Sequence, residues 1–211
     1  MAAARHFAVP IALVGPTAPL EHALASYPGW REFGIGIVEA PDVVAMSDSP
    51  AATVRRVPGA SILVAAELVA QHAAGALVSA GNTGATVMAA YGAFCLIPGV
   101  DRPALAAAIP TRVRPAVLVD AGANAECRPR HLLQFSVMGG VYARIALGIE
   151  RPRVGLLSIG EEATKGNGLT REAHQFLKAS SLHFVGNVEG RAIYRCDRVR
   201  RLHRKRRAED E

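Results

Sequence analysis

The residues of this sequence best suited to chemistry are amides, carboxylates and one lysine in short segments that contain glycine. One such segment is Ser79-Ala80-Gly81-Asn82-Thr83-Gly84. Two glycines three positions apart let the backbone turn tightly and approach a ligand without a Cβ in the way. The apolar run at 76–78 predicts a buried strand before the turn, and the small residues through Ala90 predict a helix after it. The unpaired N–H groups of a helix start suit a phosphate-sized anion, and a turn without a ligand is the alternative.

Three further polar segments follow apolar runs. They occupy residues 120–124, 160–167 and 186–190, and each contains glycine together with asparagine. In open parallel sheets, ligands lie beyond the carboxyl ends of the strands. The four segments therefore predict a single crevice lined by amides and by Lys165. A compact ammonium on a flexible stem can bind phosphate or stabilise a developing oxyanion, and a solvated loop lysine is the alternative.

Other reactive side chains are interpreted more plainly. No Ser-His-Asp or Cys-His arrangement can be argued from spacing alone. Ser79 and Cys127 lie beside the predicted loops, but packing explains each equally well, and neither receives the role of a nucleophile. His131, near a predicted helix start, is interpreted as structural. Glu161 and Glu162 fit an acid or base role, but a surface pair is commoner.

The elements that must position these segments alternate along the chain. Strands are predicted at residues 11–14, 35–38, 105–109, 116–119, 154–159 and 183–185, and helices at 19–27, 61–71, 131–147 and 170–180. This alternation predicts an α/β fold, with a mostly parallel sheet and helices on both faces.

Composition narrows the class of protein. The 211 residues are half apolar, which fits one large domain or a domain and a half, and no apolar run approaches the length of a membrane span. The three cysteines are odd in number and lack metal-ligand spacing, which indicates a reducing cytosol. The net charge of +6 is concentrated at residues 195–207, where eight Lys/Arg face one Asp, so the remainder is close to neutral.

The sequence resembles one bacterial family over about residues 11–194. The matching motifs are Ala40-Pro41-Asp42-Val43-Val44, Val78-Ser79-Ala80-Gly81-Asn82-Thr83-Gly84-Ala85, Gly99-Val100-Asp101-Arg102-Pro103, Asp120-Ala121-Gly122-Ala123-Asn124, Val154-Gly155-Leu156-Leu157-Ser158-Ile159-Gly160, Lys165-Gly166-Asn167 and Gly186-Asn187-Val188-Glu189-Gly190. The family is that of the phosphate acyltransferases of phospholipid synthesis. Any one motif is weak, but the ordered set is specific.

The resemblance implies a reaction. Such enzymes convert acyl-[acyl-carrier protein] and inorganic phosphate into acyl-phosphate, and they use no metal or organic cofactor. Their fold is similar to phosphotransacetylase and the isopropylmalate dehydrogenases. They are homodimers, cytoplasmic and loosely attached to the inner face of the membrane. Phosphate, already an anion at neutral pH, would attack the thioester carbonyl itself.

With this resemblance, site residues can be named as expectations. The expected catalytic residues are Lys165, Asn167 and Asn82, and the expected phosphate- or substrate-binding residues are Ser79, Gly81, Asn82, Thr83, Gly84, Asp120, Asn124, Asn187 and Glu189. The carrier protein is acidic, so arginines placed around the loops could form its docking face, Arg128 and Arg130 above all, with Arg112, Arg114, Arg151 and Arg153. A set of solvated arginines is the alternative.

The sequence also departs from the family. Family members open with an Asp-Ala-Met-Gly-Gly-Asp motif, which residues 1–10 lack, and continue past the Gly-Asn-Val-Glu-Gly segment into a Cys-Asp-Gly-Phe-x-Gly-Asn motif. The sequence therefore predicts a partial acyltransferase-like domain at 8–194, incomplete at both ends. Residues 195–211 are expected to be a basic tail, disordered or read out of frame, with a native tail that binds anionic lipid or nucleic acid as the alternative.

Two other functions stay open at this point. The chain could be a catalytically inactive fragment of such an enzyme. It could instead bind a nucleotide or sugar phosphate through the same loops, with the tail touching nucleic acid, although nucleic acid is the less favoured partner.

Overall fold

The computed structural model describes residues 2–50, 56–162 and 165–195, and the chain divides into two compact units, residues 1–98 and 99–211. Most of the predicted basic tail lies outside the described residues, so its nature stays a prediction, as does the domain extent of 8–194.

The first unit combines one parallel strand pair with several helices. Its elements are α1 (Ala2–Phe7), β1 (Ile11–Gly15), α2 (Thr17–Leu24), a short 3₁₀ helix (Trp30–Phe33), β2 (Ile35–Glu39), α3 (Ser61–Ala70) and α4 (Thr83–Phe94). Strands β1 and β2 run parallel, from Ile11 opposite Ile35 to Gly15 opposite Glu39. Both strands are rich in branched aliphatic residues, which favour extended backbone. The predicted strands at 11–14 and 35–38 are confirmed.

A small-residue core joins α3 to α4. Ile62 and Ala66 lie one turn apart on α3, and Ala85 and Ala89 lie one turn apart on α4. Residues four apart share a helix face, and alanines on both faces let the two helices approach closely. This packing fixes the N-terminal end of α4, where the first predicted site segment lies.

The predicted strand at 76–78 is wrong. This run is irregular in the structure; Val78 is 94% exposed, and only Leu77 packs against the core of α3 and α4. A strand needs a neighbouring backbone to satisfy its N–H and C=O groups. No strand among the described residues pairs with this run, which instead connects one helix to the next.

The described part of the second unit contains two strand pairs and a 19-residue helix. Its elements are β3 (Ala106–Ile109), β4 (Ala116–Val119), α5 (Pro129–Leu147), β5 (Val154–Leu157), α6 (Gly168–Ala179), β6 (Phe184–Val188) and α7 (Gly190–Arg195). The α/β class is confirmed, and its sheets are small, each of two strands. Strands β5 and β6 are parallel, as expected for strands joined by a helix.

Strands β3 and β4 depart from the expected parallel arrangement. They are antiparallel, with Ala106 opposite Val119 and Ile109 opposite Ala116. The connection at 110–115 is too short to hold a crossover helix, so the chain turns back on itself.

The core of the second unit lies between α5, α6 and the β5–β6 pair. Leu156, Ala173 and Leu177 are buried there, and Leu132 and Leu133 of α5 pack against them. This packing sets the ends of β5 and α6, between which the predicted Lys165 segment runs.

Candidate functional site

Asn82 holds the segment before α4 in place. Its Oδ1 accepts the N–H of Ala85 at 3.1 Å, which caps the helix. Its Nδ2 donates to three backbone carbonyl oxygens of the loop that follows β2, those of Ala45 (3.1 Å), Met46 (3.4 Å) and Asp48 (3.1 Å). Both amide hydrogens are therefore engaged within the protein.

The other members of this segment shape it. Ser79 Oγ accepts from the Gly81 N–H at 3.2 Å, and the Thr86 hydroxyl lies 3.4 Å from it. A Cβ on Gly84 would come within 2.5 Å of Pro50 Cγ, so this position has no room for a side chain. Thr83, the first residue of α4, is exposed. The segment is a tight turn at a helix start, and its role in binding an anion stays a prediction.

Asp120 closes a compact loop after β4. Its carboxylate accepts four hydrogen bonds, from the N–H groups of Leu105 (2.9 Å), Ala123 (3.0 Å) and Asn124 (2.8 Å) and from Asn124 Nδ2 (2.9 Å). Asn124 also donates to the Pro103 carbonyl at 2.8 Å. Both residues therefore fasten residues 120–124 to the segment before β3.

The charge state of Asp120 follows from these bonds. Burial by itself would raise its pKa, but hydrogen bonds from the Asn124 side chain and from the backbone outweigh burial and hold the pKa below the ordinary aspartate value. Asp120 is therefore an anion at neutral pH with its lone pairs occupied. It is a poor candidate for a general base.

The segment between β5 and α6 is more open. Asn167 caps α6, with Oδ1 accepting the Thr170 N–H at 3.0 Å. Among the described residues, neither Asn167 Nδ2 nor the Lys165 ammonium has a hydrogen-bond or ion-pair partner, and both side chains belong to exposed residues. One amide and one cation are thus available beside a helix N-terminus.

Arg171 and Ser158 also border this segment, and sequence reasoning missed both. The Arg171 guanidinium donates to the Gly166 carbonyl at 3.1 Å, and Arg171 follows Asn167 by one helical turn. The Ser158 hydroxyl is shielded from solvent, lies near Gly166 and has no partner among the described residues. The helical spacing could have indicated Arg171, whereas Ser158 looks like an ordinary strand-end residue.

Asn187 differs from the prediction that placed it in a loop. It lies within β6, is 1% exposed, and its side chain is paired on both atoms. Nδ2 donates to the Glu162 carbonyl at 2.9 Å, and Oδ1 lies 2.9 Å from His174 Nδ1. Because the Glu162 carbonyl also accepts the Lys165 N–H at 3.0 Å, Asn187 supports the backbone that leads to Lys165.

Glu189 lies at the start of α7. Its carboxylate pairs with Arg191 Nε at 2.7 Å, and its carbonyl accepts the Ala192 N–H at 2.9 Å. Its contacts are local to this helix start.

The two principal docking arginines flank the start of α5. Both are exposed, but Arg130 forms a two-point ion pair with Asp101, in which each nitrogen lies 3.0 Å from a carboxylate oxygen. His131 is buried; its Nδ1 accepts the Arg128 N–H at 3.1 Å, so it closes the helix start. The structural interpretation of His131 fits these contacts.

The remaining docking arginines lie at the other end of their strands. Arg112 and Arg114 precede β4, and Arg151 and Arg153 precede β5, whereas residues 120–124 and 160–167 follow these strands. Arg114, Arg151 and Arg153 therefore lie at the opposite ends of their strands from these loops. The Arg112 N–H donates to the Tyr194 carbonyl of α7, the helix that follows residues 186–190, and the docking role of all four arginines stays a prediction.

Cys127 is half-buried and has no feature of an activated thiol. Burial and the nearby charge of Asp120 raise its pKa, against a lowering effect of Arg102. A raised pKa keeps the thiol protonated, so Cys127 is unsuited to nucleophilic attack.

The structure thus links some predicted residues. Asp120 and Asn124 contact each other, and Asn187 is tied to the Lys165 segment through Glu162. The meeting of the Asn82 segment with the loops of the second unit stays a prediction.

Comparisons with known proteins point to one family. Residues 1–199 match the family model described as "Fatty acid synthesis protein". The chain is 50% identical over 199 residues to a protein of Syntrophotalea carbinolica named phosphate acyltransferase. It is 47% identical over 197 residues to one of Acidobacterium capsulatum and 49% identical over 183 residues to one of Elusimicrobium minutum, both with the same name.

These matches cover most of this chain but only part of each relative. They include 93%, 92% and 87% of this chain but 56%, 58% and 54% of the respective relatives. The chain therefore spans little more than half the length of the relatives it matches.

Proposed function

We propose that this chain catalyses acyl transfer to inorganic phosphate. The chain belongs to the family described as fatty acid synthesis protein, and its relatives are named phosphate acyltransferase. The acyl donor is acyl-[acyl-carrier protein], and the products are acyl-phosphate and free carrier protein. The name of the relatives describes an enzyme and states that phosphate accepts the acyl group. The carrier protein as acyl donor is an addition made by this proposal.

The observation that carries the proposal is the open segment before α6. A lysine ammonium, an asparagine amide with no partner among the described residues and the N-terminus of a helix follow one another along this segment. Phosphate is a multivalent anion, and helix N-termini and lysine both favour it. Arg171, held at the Gly166 carbonyl, adds positive charge to the same segment.

The proposed reaction needs no nucleophile from the protein. A phosphate oxygen attacks the thioester carbonyl, and the new C–O bond gives a tetrahedral oxyanion. The C–S bond then breaks, and the carrier leaves as a thiolate that takes up a proton from solvent. Lys165 and Asn167 hold the phosphate and offset the developing charge.

Arg128 and Arg130 form the proposed docking face for the carrier. Both are exposed at the start of α5, which suits an acidic partner. Arg130 shares its charge with Asp101, so Arg128 contributes the larger part of the attraction.

Assembly and location belong to the same proposal. We propose a homodimer in the cytoplasm, in peripheral contact with the inner membrane face. No helix in the described part of the chain combines the length and apolar character that crossing a bilayer requires.

The test is an acyl-phosphate assay with purified chain, acyl-[acyl-carrier protein] and phosphate. We expect Lys165→Met to lower the rate by about 100-fold, the usual cost of removing one oxyanion donor. Lys178→Met, at the exposed C-terminal turn of the same helix, is the matched control and should leave the rate unchanged.

Calorimetry with phosphate measures binding separately from turnover. Phosphate binding without turnover would favour the inactive-fragment alternative, and the Syntrophotalea carbinolica relative serves as positive control for turnover. Equal phosphate affinity in wild type and Lys165→Met would remove Lys165 from the site.

A further inference from the structure

His174 is a half-buried titratable side chain that the proposed reaction does not use. It lies on α6, directly after Ala173, which is fully buried in the core of the second unit. The imidazole packs edge-on against Phe184 of β6, with 5.0 Å between the ring centroids. Its Nδ1 lies 2.9 Å from Oδ1 of Asn187. The ring is therefore held in one place, with one nitrogen directed at a buried amide.

The contacts of Asn187 determine which way round its amide stands. Nδ2 donates to the Glu162 carbonyl at 2.9 Å, and a carbonyl oxygen can only accept. The amide oxygen of Asn187 therefore faces His174, and this oxygen can only accept as well. The hydrogen of the contact must come from His174, so Nδ1 carries a proton.

The position of this proton matters more than the charge of the ring. The neutral imidazole satisfies the contact only in its Nδ1–H form, and the imidazolium satisfies it too. In the Nε2–H form, a ring lone pair would face the Asn187 oxygen, and two acceptors would oppose each other. Turning the amide over would relieve that contact but set its oxygen against the Glu162 carbonyl. The Nδ1 proton thus selects the amide orientation that binds Glu162.

The Glu162 carbonyl is where these contacts reach the Lys165 segment. It accepts the Lys165 N–H at 3.0 Å and the Asn187 amide from β6, so both of its lone pairs are used. The stem of the lysine side chain lies against Gly160, where an added Cβ would come within 2.9 Å of Lys165 Cγ. A shift of the Glu162 carbonyl would therefore move the base of the lysine side chain.

Packing by itself does not account for the polar character of this pair. Asn187 is 1% exposed and lies opposite the buried Leu156 in the register of β5 and β6. An aliphatic side chain would suit these surroundings and would avoid the cost of burying an amide. The Asn187 amide instead donates to a segment 25 positions earlier in the chain. A buried polar network with every member satisfied holds one arrangement of the groups it joins.

We propose that His174 is a positioning residue for Lys165. Its Nδ1 proton orients the Asn187 amide, the amide holds the Glu162 carbonyl, and the carbonyl holds the backbone from which Lys165 extends. For the task of Lys165 itself, which is to bind phosphate, this inference rests on the proposed function. Because His174 acts through other residues, its loss weakens phosphate binding and leaves the affinity for the acyl carrier unchanged.

Two substitutions separate the hydrogen-bond donor of His174 from its bulk. His174→Phe keeps an aromatic ring against Phe184 and removes the Nδ1–H. His174→Asn loses the ring but keeps an NH₂ group bonded to Cγ, at the place of Nδ1. A role in packing alone would make His174→Asn the worse variant in every measurement, because it leaves a cavity. A positioning role makes His174→Phe the worse variant in phosphate binding.

His183→Phe is the matched control. His183 is an exposed histidine directly before β6, and its side chain has no hydrogen bond to the Lys165 segment among the described residues. The contact that His183 makes with β5 uses its backbone carbonyl, which accepts the Val154 N–H and is kept in the variant.

Three measurements on the full chain test the inference. Nitrogen NMR of the neutral ring should find the His174 proton on Nδ1. In His174→Phe, the Lys165 amide should exchange hydrogen about threefold faster, while the Leu177 amide in the buried part of α6 keeps its rate. Calorimetry should show phosphate binding about fivefold weaker in His174→Phe, and close to wild type in His174→Asn and His183→Phe. In the acyl-phosphate assay, KM for phosphate should rise in His174→Phe without a change in KM for the acyl carrier.

Any of three results overturns the inference: a proton on Nε2 of neutral His174, an unchanged exchange rate of the Lys165 amide in His174→Phe, or phosphate binding that is weaker in His174→Asn than in His174→Phe. If wild type binds no phosphate, the proposed function fails instead. The NMR and exchange results then decide by themselves whether His174 holds the backbone at Lys165.

Discussion

Two helix starts in this molecule carry the same asparagine cap but differ in the partners of the asparagine's side-chain NH₂ group. Asn82 and Asn167 each accept the N–H three residues ahead, at 3.1 and 3.0 Å. Asn82 also donates to three carbonyls of the loop that follows β2. Asn167 makes no such donation to any described residue, and an exposed lysine precedes it by two positions.

The difference shows that a cap residue by itself does not identify a binding site. Where every polar hydrogen already has a partner in the protein, a ligand must compete with those bonds, and the residue serves the fold. The Asp120 loop belongs to this first class, since its carboxylate accepts four bonds. The Lys165 segment is different, because its lysine and the side-chain NH₂ group of Asn167 have no partner among the described residues and can donate to a ligand.

The largest effect is expected at Asp120. Asp120→Ala leaves three backbone N–H groups without their acceptor, so the free energy of unfolding should fall by about 3 kcal/mol. Urea unfolding followed by circular dichroism measures it. A loss below about 0.5 kcal/mol would show that water replaces the carboxylate and that the loop is not held by it.

The charge of Asp120 adds a pH signature. Its pKa is lowered in the folded chain, so its contribution to stability is complete above the ordinary value of about 3.9 and is lost as the pH falls through the lower folded value. Asp120→Asn should remove this loss at acid pH while other carboxyls keep theirs. Identical acid unfolding curves would contradict the assignment.

Asn82→Ala should cost about 2 kcal/mol, because both the helix cap and the contacts to the loop are lost. Asn82→Asp sharpens the comparison, since an aspartate keeps the cap but cannot donate to the loop carbonyls. We expect Asn82→Asp to recover less than half of the lost stability in urea titrations. Full recovery would show that the cap alone matters.

Asn167→Ala should cost about 1 kcal/mol in stability, the value of a cap alone. Its phosphate affinity should fall about fivefold, as expected for one lost hydrogen bond. In Asn167→Asp the cap survives and a negative charge is added, so stability should hold while phosphate binding weakens further. If Asn167→Asp binds phosphate as well as wild type in calorimetry, the unpaired side-chain NH₂ group of Asn167 does not contribute to phosphate binding.

The regular parts of the fold could be predicted because their residues act locally. Branched aliphatic runs predict β1 and β2, and helical spacing predicts α3 and α5 to within two residues. The asparagines at both helix starts are caps whose position sequence can indicate. The α/β class follows from the alternation of such runs.

Other features depend on partners distant in the chain. The run at 76–78 has the composition of a strand, but no described strand pairs with it. Asn187 sits in a predicted loop by composition, yet His174 and Glu162 give its amide partners inside the protein. Whether a donor is occupied or available is decided by such contacts, so sequence could name Asn82 and Asn167 but not distinguish them.

The crowding at Gly166 limits how this sequence can drift. Gly166 has φ of +97°, and a Cβ there would collide with Thr170 Oγ1 and approach Ser158 Oγ, whereas Gly168 has open space around it. Substitution is therefore tolerated at Gly168 and selected against at Gly166, two positions earlier. A smaller residue at position 170 would remove the collision but not the strain of a side chain at positive φ, so glycine is held at position 166 by its own backbone as well as by its neighbours.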